Sequence, residues 1–434
     1  MDRYLVLADD LTGAADAAVA LAGPALDAQV FLDFAAAVHA TVQVVSVDLN
    51  TRAMAQADAA ATVARATAAW VDSGRQVFKK IDSTLRGHIG AELAALCRGF
   101  RAVDGQTLVT PLLCIVAPAH PALGRTVEGG RLSVHGVRAA AQAVPLADDL
   151  ASFGLACAAL DIATLRSTPP QALSSLMESV AGVAAPGRAS ALVCDALTVH
   201  DMQLVVDAAR RARVTPVWVG SGGLAQALAA QHEVRAGNVL VKIPVEIPAT
   251  KAHEEAHKSL AFVVGSFSPV ARQQIRALVD TGEVTCVALS INDLLNAQAG
   301  NVPGCIDALL ATGRDLVLCV DPDLEVRPEL TETVARGLAA VVASRVDRLA
   351  ALVCCGGDTS RALLASMRIQ SLCVHRSTET GSTHARSLSY PDLPMILKAG
   401  AFGDAGLLVR LRSQLVSAHG HVPAPSSLSS KVIP

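Results

Sequence analysis

"RYLVLADDLTGAADAAVALA", residues 3–22, decides the fold of this chain. Tyr4 to Ala8 form an unbroken apolar run, the mark of a strand buried on both faces, and Thr12 to Ala22 follow as an Ala-rich helical segment. A strand feeding a helix through so short a connection is the opening unit of a parallel sheet covered by helices. Between the two stand Asp9 and Asp10. Asp10, or Thr12, can cap the helix by accepting from a free backbone N–H. A cap needs one oxygen, so the second carboxylate calls for a counter-charge or a raised pKa.

The same rhythm recurs along the chain. "VQVVSVDLNTR" (42–52), "QVFKKIDS" (76–83), "LCIVAPAHP" (113–121) and "PVWVGSGG" (216–223) are apolar runs that end in polar or small residues. "NVLVKIPVEIPATKAHEEAHKS" (238–259) breaks the pattern with prolines and clustered charge. Beyond it, "LAFVVGSFSP" (260–269), "EVTCVALSI" (283–291), "RDLVLCVDP" (314–322), "LAALVCCGGDTS" (349–360) and "PMILKAGAFGD" (394–404) resume it. The expected organisation is two α/β domains with mainly parallel sheets covered by helices, and an active site in the interdomain cleft. Residues 1–237 would form the first domain, 238–259 a linker, 260–417 the second domain and 418–434 a flexible tail.

Composition narrows the function classes. Of 434 residues, 52% are hydrophobic and 17% charged, enough apolar surface for two cores and too much for disorder. No uninterrupted apolar run approaches the ~18–20 residues of a spanning helix, so core is expected rather than membrane. A net charge of −3 and 3% aromatic residues give neither the electrostatic footprint nor the stacking platforms of a nucleic-acid binder. The ten cysteines lack the spacing of a disulfide framework or zinc ribbon and read as reduced, buried thiols. "MDRYLVLADD" enters a strand at once, without a basic leader or cleavage site, and a cytoplasmic location is expected.

The counter-charge to Asp9 and Asp10 is found in "KKIDSTLRGHIGAEL" (79–93) and at Arg52. Lys80, Asp82, Ser83 and Arg86 gather at another strand end, with Ser83 or Thr84 expected to cap the next helix and Arg86 on its first turn. Lysine, arginine and hydroxyls around carboxylates suit a small, anionic, polyhydroxylated ligand. In the second half, "VVGSFSP", "CCGGDTS" and "KAGAFGD" place small residues between strand and helix, where backbone N–H groups can approach phosphate oxygens. Neither a P-loop nor a strict dinucleotide fingerprint is present. "HEEAH" (253–257) matches the zincin pattern but lies in the linker without an apolar helical face, and reads as solvated charge rather than zinc. His88 and His120, near polar strand ends, read as satisfied structural histidines.

"ADDLTGAADAA", "KKIDSTLRGHIGAEL", "APAHPALGRTVEGG", "GSGGLAQAL", "VVGSFSP", "CGGDTSRALL" and "KAGAFGDAGLL" resemble, in this order, the signature blocks of the four-carbon acid sugar kinases. The resemblance runs from about residue 5 to 410. It implies an N-terminal sugar-acid-binding domain, a C-terminal nucleotide-binding domain and ATP-dependent phosphorylation of the 4-hydroxyl of a tetronate. Residue by residue, it implies substrate on Asp10, Arg52, Lys80, Ile81, Asp82, Ser83 and Thr84. It implies nucleotide on Ser266, on Gly356, Gly357, Asp358 and Thr359, and on Gly400, Ala401, Phe402 and Gly403, and Lys398 stands beside that last loop. "PAHP" and "GRTVEGGRLSVHG" depart from the blocks associated with 3-oxo-tetronate, which favours D-threonate, with D-erythronate next.

The chemistry expected is in-line attack of the C4 hydroxyl on the γ-phosphate of MgATP, with Mg²⁺ held mainly by the phosphates and Asp358 as a candidate protein ligand. Arg52, Lys80 and Arg86 would orient the acid, and Asp10 or Asp82 would take the hydroxyl proton. Domain closure over the cleft would exclude water. A nicotinamide-dependent dehydrogenase would also use two α/β domains but wants a glycine fingerprint that is missing. A sugar-acid sensor would bind without turnover. A homodimer is entertained as the oligomeric state.

Overall fold

Tyr4–Ala8 form strand β1, with all five residues buried. The computed structural model describes residues 3–23, 26–70, 73–102, 112–139, 142, 144–183, 189–235, 258–297, 301–321, 328–376, 379 and 381–419. The expected linker and its HEEAH stretch therefore fall almost wholly outside the described residues, as does most of the expected tail. The chain divides into two compact units, Met1–Val241 and Lys242–Pro434.

In the first unit β1 is followed by β2 (Ala28–Phe31), β3 (Val44–Asp48), β4 (Gln76–Lys80), β5 (Leu112–Ala117), β6 (Arg125–Glu128), β7 (Arg131–Val134), β8 (Val137–Arg138), β9 (Ala156–Leu160), β10 (Ser190–Cys194) and β11 (Thr215–Gly220). Its main sheet runs β2-β3-β1-β4-β11-β5-β10-β9, every pairing parallel. β6, β7 and β8 form a small antiparallel sheet. Helices cover the main sheet because β1, β3, β5 and β10 are buried on both faces. Leu5, Leu7, Val45, Val47, Leu93 and Val116 pack into one core.

The register fixes where ligands can bind. Ala8 pairs with Asp48 and Lys80, Lys80 with Gly220, and Gly220 with Ala117, so these strand ends lie in one row. The chain passes from β1 outward to β2, returns through β3 and crosses to β4. β1 thus marks the switch point from which loops diverge and open a crevice at the carboxyl edge.

The second unit carries β12 (Ser259–Val264), β13 (Val284–Leu289), β14 (Asp315–Val320), β15 (Leu349–Cys355), β16 (Ser371–Arg376), β17 (Ser382–Arg386) and β18 (Met395–Lys398). The order is β13-β14-β12-β15-β18-β17-β16, parallel through β18 and antiparallel from β18 to β16. Its first four strands repeat the order of β2-β3-β1-β4, which puts a second switch point at β12. Phe262, Val264, Val317, Val353, Ile396 and Leu411 form its core.

Candidate functional site: a charged strand edge and a glycine-lined loop cluster

Asp10 caps the helix Leu11–Ala22, its Oδ1 accepting from Gly13 N at 3.0 Å and its Oδ2 from the Thr12 hydroxyl at 2.7 Å. The second acid has a different task. Asp9 is buried and receives both arms of Arg52, Nε at 2.9 Å and Nη2 at 3.0 Å. Arg52 Nη2 also donates to Asp10 Oδ1 at 2.9 Å and stands 3.6 Å from Asp82 Oδ1. One guanidinium thus joins the ends of β1, β3 and β4. Burial would weaken its hold on a proton, but the carboxylates of Asp10, Asp9 and Asp82 outweigh burial and raise its pKa. Burial is also the main influence on Asp9 and pushes its pKa up against the pull of Arg52.

Asp82 is saturated with donors. Its Oδ2 accepts from Thr84 N at 3.1 Å, from the Thr84 hydroxyl and from Arg86 Nε at 2.8 Å, and its Oδ1 from Arg86 Nη2 at 2.9 Å. Burial acts to raise its pKa, but the Arg86 bond and the Arg52 charge win and hold it far below the usual carboxylate range. Lys80 is buried and donates to Ile81 O at 2.9 Å. Gly13 makes room for it, since a Cβ there would meet Lys80 Nζ at 2.9 Å and Asp10 Oδ1 at 2.5 Å. Ser83 is buried and accepts from Arg125 on β6.

The expected helix cap by Ser83 or Thr84 is corrected. The helix begins at Ile89, and Arg86 lies in the preceding turn with its side chain 65% exposed. Leu85 at φ 60° and Gly87 at φ 95° hold the chain left-handed there, which a right-handed helix cannot accommodate. The two histidines part company. His88 is satisfied, its Nε2 lying 2.7 Å from Met54 O. His120 is buried, and among the described residues its Nδ1 has no hydrogen-bonding partner.

Asp9, Asp16, His120 and Arg125 were not singled out as site residues from the sequence, yet all border this edge. Asp16 and Arg125 are distant in sequence from the strand ends. The dense glycines of "GSGG" were the available signal. A Cβ on Gly222 would run into Asp16 Oδ2 and come 3.2 Å from His120 Nε2.

In the second unit the row of strand ends is Val264, Cys355 and Lys398. Ser266, Gly356 and Gly400 follow them and converge. A Cβ on Gly400 would overlap Ser266 Oγ and reach Ser266 Cβ at 2.6 Å, with Gly356 Cα at 3.9 Å. Gly356 has φ 110° and stands at the N-cap of the helix Gly357–Ser366, which has no side-chain cap. By contrast Ser268, not Ser266, caps the helix Pro269–Val279 and also donates to Gly400 O at 2.8 Å. Thr359 is buried on the uncapped helix and Asp358 exposed on its first turn. Lys398 is fully buried and donates to Ala399 O at 2.9 Å, with its pKa lowered by burial. Gln274 pins the loop by donating to Phe402 O and Asp404 O, both at 2.9 Å, and Ala401 and Gly403 are exposed. An uncapped helix N-terminus among glycines can receive an anionic phosphate.

Among the described residues no helix is long and apolar enough to cross a membrane, and no group of three or more His, Cys, Asp or Glu side chains could hold a metal ion. The fold is similar to crystal structures of Haemophilus influenzae protein HI1011, with 18% identity, a TM-score of 0.67 and 95% and 100% of the two chains covered. It is also similar to that of a Salmonella typhimurium LT2 protein, with 20% identity, a TM-score of 0.70 and 96% and 99% covered. In sequence the chain is 32% identical to a D-threonate kinase of Cupriavidus necator, over 93% of this chain and 96% of the relative. It is 25% identical to a D-erythronate kinase of Heliobacterium modesticaldum, over 93% and 95%. Residues 4–228 match the family model of a sugar-binding N-terminal domain and residues 261–408 that of a nucleotide-binding C-terminal domain. The carboxyl-edge cluster and the glycine loops fall one in each match, and the chain belongs to the four-carbon acid sugar kinase family.

Proposed function

We propose that this chain is an ATP-dependent kinase that phosphorylates the 4-hydroxyl of a four-carbon sugar acid, D-threonate before D-erythronate. The observation that carries the reading is the node of Arg52 with Asp9, Asp10 and Asp82, with buried Lys80 at the end of the neighbouring strand. Cations held by carboxylates, with main-chain and hydroxyl groups of Ile81, Ser83 and Thr84 alongside, suit an acid that carries several hydroxyls. The order of substrates is supported by relatives named D-threonate kinase at 32%, 30% and 28% identity against a D-erythronate kinase at 25%.

The reaction needs little covalent help from the protein. The C4 oxygen attacks the γ-phosphorus in line, the bond to the β,γ-bridging oxygen breaks, ADP leaves and the hydroxyl proton passes to a carboxylate. Asp10 is the better acceptor. Asp82 holds its donors so tightly that a proton there is strongly disfavoured, whereas among the described residues Asp10 Oδ2 bonds only the Thr12 hydroxyl. Arg52 and Lys80 orient the acid, and Arg86 acts through Asp82. Ser266, Gly356 to Thr359, Lys398 and Gly400 to Gly403 form the nucleotide site, its phosphates on the uncapped helix start. Asp358, exposed beside that helix start, would offer a hard oxygen ligand to Mg²⁺, which would supply charge neutralisation at the phosphates.

The test is ADP release from MgATP with D-threonate, D-erythronate, L-threonate and 3-oxo-tetronate supplied singly. Turnover of D-threonate above the others is expected. Binding of an acid without ADP release would instead favour the sensor, and silence toward all four would end the tetronate reading.

A further inference from the structure

Asp16 lies on the helix Leu11–Ala22, past the Asp10 cap. Among the described residues no hydrogen bond or ion pair ties down its carboxylate. Burial raises its pKa, against the opposing charge of Lys80. Opposite it stands His120, only 5% exposed, just after β5. Burial, then the charges of Arg125 and Lys80, push its pKa down to about 4, so the imidazole is neutral near pH 7. Gly222 opens the helix after β11 and lies beside both, since a Cβ there would strike Asp16 Oδ2 and come 3.2 Å from His120 Nε2. Asp16 is half-buried, and the fully buried unpartnered atom of the pair is His120 Nδ1; a buried polar group left so costs about 1–3 kcal/mol. Native folds keep one chiefly where a ligand or water completes it.

We propose that Asp16 and His120 together bind a secondary hydroxyl of the four-carbon acid and thereby decide which diastereomer is turned over. The inference rests on the kinase reading above, and it adds a hydroxyl-recognising end to a site whose other end is Arg52. The carboxylate accepts from the hydroxyl and the neutral imidazole offers Nε2, the ring nitrogen beside Gly222. Inverting that carbon leaves both side chains unpaired again. Sites built to hydrogen-bond a hydroxyl reject its absence far more strongly than apolar pockets reject an extra methylene.

The experiment measures kcat/KM for D-threonate and D-erythronate in the wild type, Asp16→Asn and His120→Asn, with 2-deoxy and 3-deoxy analogues of the acid as probes. The preference between diastereomers should fall at least ten-fold in either variant. For one deoxy acid the further loss on substitution should nearly vanish, because the hydroxyl and its partner have been removed from the same interaction. A structural role would lower both acids alike, and a preference unchanged in both variants would overturn the proposal. If one variant folds poorly, the other reads the same pair from its second side. Wild-type protein that releases ADP with none of the four acids named above would overturn the tetronate-kinase reading itself, a result distinct from turnover with an unchanged preference.

Discussion

Replacing Asp10 by Asn keeps an oxygen for the Gly13 N–H and removes the proton acceptor, which separates the helix cap from the chemistry. We expect kcat to fall ~10²-fold or more, with thermal stability within about 1 kcal/mol of wild type. A rise in KM alone would make Asp10 a binder. His120 gives a pH signature. Its ordinary value is 6.5 and its folded value about 4. The unfolded chain therefore takes up a proton that the folded chain refuses, and stability falls as pH drops from about 6.5 to about 4, by up to about 3 kcal/mol. Denaturation midpoints at pH 7.5 and 4.5 should lie closer together in His120→Asn than in wild type. Asp10, Arg52, Lys80 and Asp82 were legible because each closes an apolar strand. Asp16 was not, because it sits inside a helix and owes its neighbourhood to Gly222, far along the chain.

At the scale of elements, β4 is held to the helix Ile89–Ala102 by Lys79 and Glu92, 2.6 Å apart and both buried. Lys79 faces away from its neighbour Lys80, as alternate residues of a strand must. Glu92→Gln strands a buried ammonium and should cost about 3–5 kcal/mol in chemical denaturation, whereas Lys79→Met with Glu92→Leu should recover most of it. Equal losses in the single and double variants would contradict this. In the second unit, Gly400→Ala thrusts a methyl group onto Ser266. Nucleotide affinity should fall ten-fold or more by calorimetry while affinity for the sugar acid stays unchanged. The start of the helix at Ile89 was misread from "DSTLRG" because hydroxyls before an apolar run imitate a cap. The left-handed backbone at Leu85 leaves no compositional trace.

For the molecule as a whole, two units with separate cores should answer separately to their ligands. Hydrogen exchange with D-threonate should slow around 9–13, 50–54 and 80–86, and with nucleotide around 265–268, 356–360 and 398–403. Protection by either ligand in the other's unit alone would refute the allotment. The division into two α/β units was legible from strand rhythm, because buried parallel strands need continuous apolar runs. Register was not, because it depends on which runs lie side by side, and it is register that brings Asp48, Ala8, Lys80 and Gly220 level. Arg52 has a consequence for descent. The side chain proposed to grip the acid also ties three strand ends, so a lineage that traded it for a neutral polyol would loosen its own scaffold. Among the described residues the side chains of Asp16 and His120 tie nothing. Drift toward new stereochemistry is open at their end, while the demand for an acid is inherited with the fold.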